Sequence, residues 1–187
     1  MVRLFEEAAL ERQEEGIIVK DPLSKYLPNN RSTNHWIKLK TDYIDQLGDT
    51  LDLVIIGGFY GKRASTENIN VFLVGVLKND PKQGAIPICK VGTGYSLAEL
   101  DTLQQRLKPF WKTFDPRFPP KSLAGWKPAA QDRPDLVLND LERSVVLEVK
   151  ATELMISEAF PTKCTLRFPR VLKIRYDKNW NDAMKRD

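Results

Sequence analysis

The stretch LDLVIIGGFYG, residues 51–61, decides the fold. Leu53 to Ile56 is an unbroken apolar run, so an extended segment there must be buried on both faces. Gly57 and Gly58 follow, where a β-bulge or sharp bend needs no side chain. Working outward, NVFLVGVLKND (70–80) predicts a second strand, with Gly75 where a tightly coiled strand leaves no room for a side chain, and IPICKVGTG (86–94) predicts a third. Ser96 and Glu99 form an S-x-x-E capping box that opens LAELDTLQQRLKPF (97–110) as a helix. The stretch 115–134, DPRFPPKSLAGWKPAAQDRP, is Pro-rich and reads as irregular.

Beyond it, SVVLEVKA (144–151) alternates Val145, Leu147 and Val149 against Val146, Glu148 and Lys150. CTLRFPRVLKIRYDK (164–178) is a last strand region interrupted by Pro169, with Leu172 and Ile174 on the core side and Lys173 and Arg175 on the other. NWNDAMK (179–185) predicts a short final helix. Some five coiled strands with one helix between the third and fourth is the layout of an OB-fold, a small, partly open Greek-key β-barrel. Upstream of residue 41 the pattern differs. VRLFEEAALERQEE (2–15) has helical spacing, IIVK is a short strand, DPLSKYLPNNRSTN (21–34) is a loop and HWIKLK (35–40) a second strand. That is a small α/β piece with too little apolar surface to be a domain alone. The expected class is therefore mainly β with α.

Composition excludes several classes. The chain has 187 residues, which suits one sizeable domain, or one domain with part of another. Its net charge of +4 is compatible with nucleic acid without demanding it. Cys89 and Cys164 are far apart and form no C-x-x-C, which argues against a disulfide scaffold and a zinc site. No apolar run reaches the length of a membrane span, so no membrane partner is expected.

Three segments carry possible chemistry. In WIKLK, residues 36–40, strand geometry puts Trp36, Lys38 and Lys40 on one face and Ile37 and Leu39 on the other. Two like charges side by side are unfavourable unless an anion sits between them, although lysines also protect strand edges. In EEGIIVK (14–20), Glu15 offers a hard oxygen ligand for a divalent cation, while the plainer reading of that segment alone is the solvated end of an acidic helix. The C-terminal segment gathers Arg167, Arg170, Lys173, Arg175 and Lys178, a basic face suited to a triphosphate or nucleic-acid backbone. His35, the single histidine, reads as a loop residue, and Trp111, Trp126 and Trp180 as packing residues.

The order of the segments carries more than any one of them. EEGIIVK, WIKLK, LDLVIIGGFYGK, KVGTGYSLAEL, LEVKA and TLRFPRVLKIRYDK together resemble the ATP-dependent DNA ligases along almost the whole chain. EEGIIVK, CTLRFPR and IRYDKNW resemble the eukaryotic DNA ligase IV type, the end-joining ligases. The resemblance implies that residues 1–40 end a nucleotidyltransferase domain, that 41–187 form the OB-fold domain, and that a hinge lies near Thr41 to Tyr43. It implies ATP and Mg²⁺ as cofactors, nicked or broken duplex DNA as partner, and a nuclear location. End-joining scaffold proteins would bind through regions beyond this sequence. By the same resemblance, Glu15 helps hold the catalytic metal and Lys38 and Lys40 contact the nucleotide α-phosphate. Arg167, Arg170, Arg175, Asp177 and Lys178 form the C-terminal motif that orients the pyrophosphate leaving group, with Lys38, Lys40 and Arg170 closest to catalysis. One departure is large: the family's nucleophilic lysine lies in K-x-D-G, and the nearest string here, VKDP (19–22), lacks the glycine. The chain alone is therefore expected to be inactive. The competing readings are a fragment of an mRNA-capping-type guanylyltransferase and a non-catalytic OB-fold nucleic-acid-binding module.

A partial basic face supplies few phosphate contacts. DNA binding by this chain alone is expected to be weak and to fall steeply with added salt; a salt titration of duplex binding that stays flat would contradict it.

Overall fold

The computed structural model describes residues 2–8, 12, 14–26, 35–40, 50–61 and 68–186. The hinge expected at Thr41 to Tyr43, and parts of the N-terminal helix and of the loop at 21–34, lie outside the described residues. The chain divides into two compact units, Met1–Leu47 and Gly48–Asp187. Among the described residues, no helix is long and apolar enough to cross a membrane.

In the first unit a short helix, α1 (Val2–Glu6), precedes an antiparallel ribbon of β1 (Gly16–Lys20) and β2 (Trp36–Lys40). Gly16 opens β1 at φ 140°, and a Cβ there would lie 2.0 Å from the Leu39 carbonyl oxygen. Only glycine allows the strands to meet that closely. The ribbon's apolar face is Ile17 and Val19 opposite Leu39 and Ile37. Ile17, Val19 and Leu39 are half-buried and Ile37 is 51% exposed, so this face forms no closed core.

The second unit is built around β3 (Thr50–Tyr60), which pairs antiparallel with β4 (Ile69–Leu77). The remaining elements are β5 (Ala85–Val91), α2 (Leu97–Leu107), β6 (Trp111–Thr113), β7 (Leu136–Leu138), β8 (Val146–Lys150), β9 (Glu153–Ile156), β10 (Cys164–Arg167) and β11 (Arg170–Ile174). The main sheet runs β11-β8-β3-β4-β5, and all its pairings are antiparallel. β8 covers one edge of β3 along 50–54, and β7, itself paired with β6, covers the same edge at Gly57 and Gly58. β9 and β10 form a separate two-stranded sheet.

Alternate residues of β3 feed two cores. Leu53 and Ile55 join Phe72, Val74, Leu147, Val149 and the α2 residues Leu103 and Leu107. Val54 and Ile56 join Leu73, Leu77, Val137, Val146, Leu123, Trp126 and Phe160. The second core explains the Pro-rich stretch: it is irregular but packed, with Trp126 stacked on Phe160 at 5.8 Å and its Nε1 donating to the Ala159 carbonyl. The Ser96–Glu99 capping box opens α2 as expected. The expected final helix is one 3₁₀ turn at Trp180–Asp182. Strands β6, β7 and β9, each four residues or fewer, carry too little pattern to be read in sequence.

The last strand region proves to be two strands in two sheets. Phe168, at φ 49°, and Pro169 separate β10 from β11. Within β11 the register against β8 shifts between Val171 and Lys173. That bulge overturns the simple alternation: Val171 and Ile174 are buried, while Leu172 is 45% exposed.

A two-stranded ribbon whose apolar face is only half-buried is marginal by itself. Amide exchange in β1 and β2 is expected to be faster than in β3 and β4. Equal protection would show that the ribbon is stabilised by something beyond its own two strands.

Candidate functional site

The ribbon register places Lys38 opposite Ile18 and Lys40 opposite Gly16. Directly opposed residues share a face, so Lys20, Ile18 and Gly16 lie beside Trp36, Lys38 and Lys40. Glu15 is the residue that completes this face. Its carboxylate accepts a charge-assisted hydrogen bond from the Lys40 Nζ. A depression of about 140 Å³ is lined by Glu15, Gly16, Ile17, Ile18, Lys38, Leu39 and Lys40. Gly16 keeps it open, since any side chain there would meet β2. The structure thus brings together Glu15, Lys38 and Lys40, which the sequence holds in separate segments. One carboxylate and two ammonium groups leave a net positive cleft, suited to an anion. At the ribbon's far end Lys20 Nζ lies 4.2 Å from the Trp36 ring centroid, and Tyr26 packs on Trp36 at 5.6 Å. His35 Nδ1 is 3.4 Å from Asp21 Oδ2, a loop contact at the other end from Glu15.

For a divalent cation the fit is partial. Among the described residues, no group of three or more His, Cys, Asp or Glu side chains is placed to hold a metal ion. Glu15 offers one carboxylate. A Mg²⁺ bound there would take its other ligands from phosphate oxygens and water, as this ion commonly does.

In the second unit the basic segment is extensively ion-paired. Arg175 Nε and Nη2 donate to Asp177 Oδ1 and Oδ2 at 2.9 and 2.8 Å. Its Nη1 lies 3.4 Å from both Asp52 Oδ1 on β3 and Glu148 Oε2 on β8. Lys178 donates to the other Asp52 oxygen. The Arg175 hydrogen bonds hold the Asp177 carboxyl down at about 2, and the same contacts raise the guanidinium above its ordinary value. Arg167 donates to Glu153 at 2.6 Å, its directly opposed neighbour on β9, and packs over the Phe168 ring. Arg170 begins β11 opposite Lys150, which is only 5% exposed.

Sequence reasoning named the cations and Asp177, and missed the other carboxylates that partner them, Asp52, Glu148 and Glu153. The available signal was position. Asp52 is the one charged residue of β3, and Glu148 interrupts the apolar run at 145–149, where an ionised group is retained only with a partner.

Residues 65–178 match the family "ATP dependent DNA ligase C terminal region". The chain belongs to this family. It is 37% identical to DNA ligase 4 of Gallus gallus over 183 residues, spanning 96% of this chain and 19% of that protein. It is also 37% identical to DNA ligase 4 of Homo sapiens over 184 residues, with the same coverage. The DNA ligase 4 of Dictyostelium discoideum is 37% identical over 204 residues, spanning 98% of this chain and 18% of that protein. The chain thus spans about a fifth of the length of these relatives. Among solved structures, the ligase domain from M. tuberculosis LigD superposes with a TM-score of 0.56 at 23% identity, covering 94% of this chain and 49% of that one. That likeness establishes a shared fold. The resemblance read from the order of the ligase motifs therefore holds across nearly the whole chain.

The Asp177 carboxyl is depressed from its ordinary 3.8 to about 2. A depressed carboxyl contributes stability above its unfolded pKa and loses it as pH falls through the folded one. The stability difference between the native chain and Asp177→Asn, measured by denaturant melts, is expected to be constant above about pH 5 and to shrink between about pH 4 and 2. A difference independent of pH would contradict the ion pair.

Proposed function

We propose that this chain is a catalytic part of an ATP-dependent DNA ligase that seals breaks in duplex DNA through enzyme-adenylate and DNA-adenylate intermediates, acting in end joining in the nucleus. The observation that carries this reading is the cleft that joins Glu15, Lys38 and Lys40, in a chain 37% identical to DNA ligase 4. In this reading the first 40 residues end a nucleotidyltransferase domain and residues 41–187 are its OB-fold partner. The antiparallel order of the main sheet, with α2 following β3, β4 and β5, supports the second assignment.

Lys38 and Lys40 neutralise the nucleotide α-phosphate, and afterwards the phosphate of the DNA adenylate, as charge builds on the phosphoryl oxygens. Glu15 has two tasks in one place. It orients the Lys40 ammonium, and it offers an oxygen to Mg²⁺. The ion, when bound, withdraws charge from the phosphates. Arg167, Arg170, Arg175 and Lys178, with Asp177 fixing Arg175, orient the pyrophosphate leaving group. The 187 residues contain no K-x-D-G, so the lysine that carries AMP is contributed by another part of the ligase, and this chain by itself does not self-adenylate. Its substrates are nicked or broken duplex DNA. Scaffold proteins of end joining bind elsewhere on the ligase.

The test uses the longer ligase containing this chain and its K-x-D-G segment. Incubated with α-labelled ATP and Mg²⁺, it is expected to take up label, pass it to a nicked duplex and seal the nick. Lys40→Ala is expected to lower label transfer by about 10²- to 10³-fold, the usual loss for one preorganised oxyanion donor. Label from GTP alone would make the protein a guanylyltransferase. Label from neither nucleotide would leave a nucleic-acid-binding module.

A further inference from the structure

The C-terminal basic segment, read above as the polyphosphate-orienting motif, carries no net positive charge at its end. Arg175 and Lys178 contact Asp52, Glu148 and Asp177, two cations against three carboxylates. Lys173 lies near enough for its charge to act on Asp177, and counting it brings the group only to neutrality. A polyphosphate approaching this cluster meets carboxylates already occupying the donors it would use.

The three carboxylates are not equivalent. Asp177 lies two residues from Arg175 and grips it with two well-formed hydrogen bonds, so it travels with the guanidinium and orients it. Asp52 and Glu148 reach Arg175 from β3 and β8, each touching only Nη1 at 3.4 Å, which is long for a charge-assisted bond. Asp52 alone is shared between Arg175 and Lys178. Its main chain has a separate task, since its carbonyl accepts from the Met184 N–H at 2.8 Å. That bond does not depend on the side chain. The side chains of Asp52, Arg175 and Lys178 are 19–29% exposed, so their charges are screened less than on open surface.

We propose that Asp52 is a resident counter-ion, which occupies Arg175 and Lys178 together and is exchanged for the anionic oxygens of a polyphosphate when one binds. Asp52 is then a specificity-determining residue. A ligand with several phosphate oxygens can replace it at both cations at once, whereas a single weak anion replaces it at one. Asp177 keeps Arg175 aimed throughout the exchange.

The experiment titrates the 187-residue chain with inorganic tripolyphosphate at low salt, following heat or the Arg175 Nε–H resonance. D52N keeps the shape and removes the competing charge. It is expected to bind tripolyphosphate about two- to fivefold more tightly than the native chain, the range for one partly screened ion pair. E148Q is expected to shift affinity in the same direction, and it carries the test if thermal melting shows that D52N does not fold. The gain must vanish when R175Q and K178M are added. Unchanged or weaker binding in D52N and E148Q would overturn the proposal, as would a gain that survives loss of Arg175 and Lys178. The readout is anion binding by this chain alone. Failure of the longer protein to take label from ATP would thus remove the functional reading and leave this result standing.

Discussion

Strand β3 must be buried on both faces, and much of the second unit follows from that requirement. A strand that is apolar at four successive positions cannot turn any face to water without exposing Leu, Ile or Val. Leu53 and Ile55 are covered by α2 and one side of the sheet, Val54 and Ile56 by the Pro-rich stretch and the segments around Phe160 and Ala183. The stretch from 115 to 134 has no sheet of its own, yet Leu123 is fully buried and Trp126 nearly so. Its irregular backbone is tolerated because its apolar side chains close the second core.

The same strand carries the constraint into the charged region. Asp52 is the charged residue just before the apolar run of β3, and its carbonyl and carboxylate hold different parts of the C-terminal segment: Met184 by the main chain, Arg175 and Lys178 by the side chain. Position on β3 therefore sets both the packing of the core and the arrangement of the basic motif. The first unit works on a smaller scale by a related rule. Gly16 permits close approach of two strands, and that approach sets Glu15 beside Lys40 and leaves the cleft next to Lys38. In both units a carboxylate lies against the cations that the functional reading assigns to phosphate. Such pairing limits the cost of holding like charges close together before a ligand arrives.

The sequence by itself determined the long elements and the family. The apolar run of β3, the strands containing Gly75 and Cys89, the capping box of α2 and the break at Pro169 were all legible, because each is set by local chemistry: periodicity, a cap, a ring without an N–H. The order of short motifs sufficed for the ligase resemblance, since six segments in sequence are far more specific than any one. Only the tertiary structure decided the rest. The bulge between Val171 and Lys173 placed Leu172 outside and Val171 inside, because one extra residue in a strand reverses every later side chain. The second core recruited a stretch that local pattern reads as loop. The distant partners of Arg175 are Asp52 and Glu148, 123 and 27 residues away from it. Charge pairing acts through space, and the chain records only which charges exist, not which of them meet.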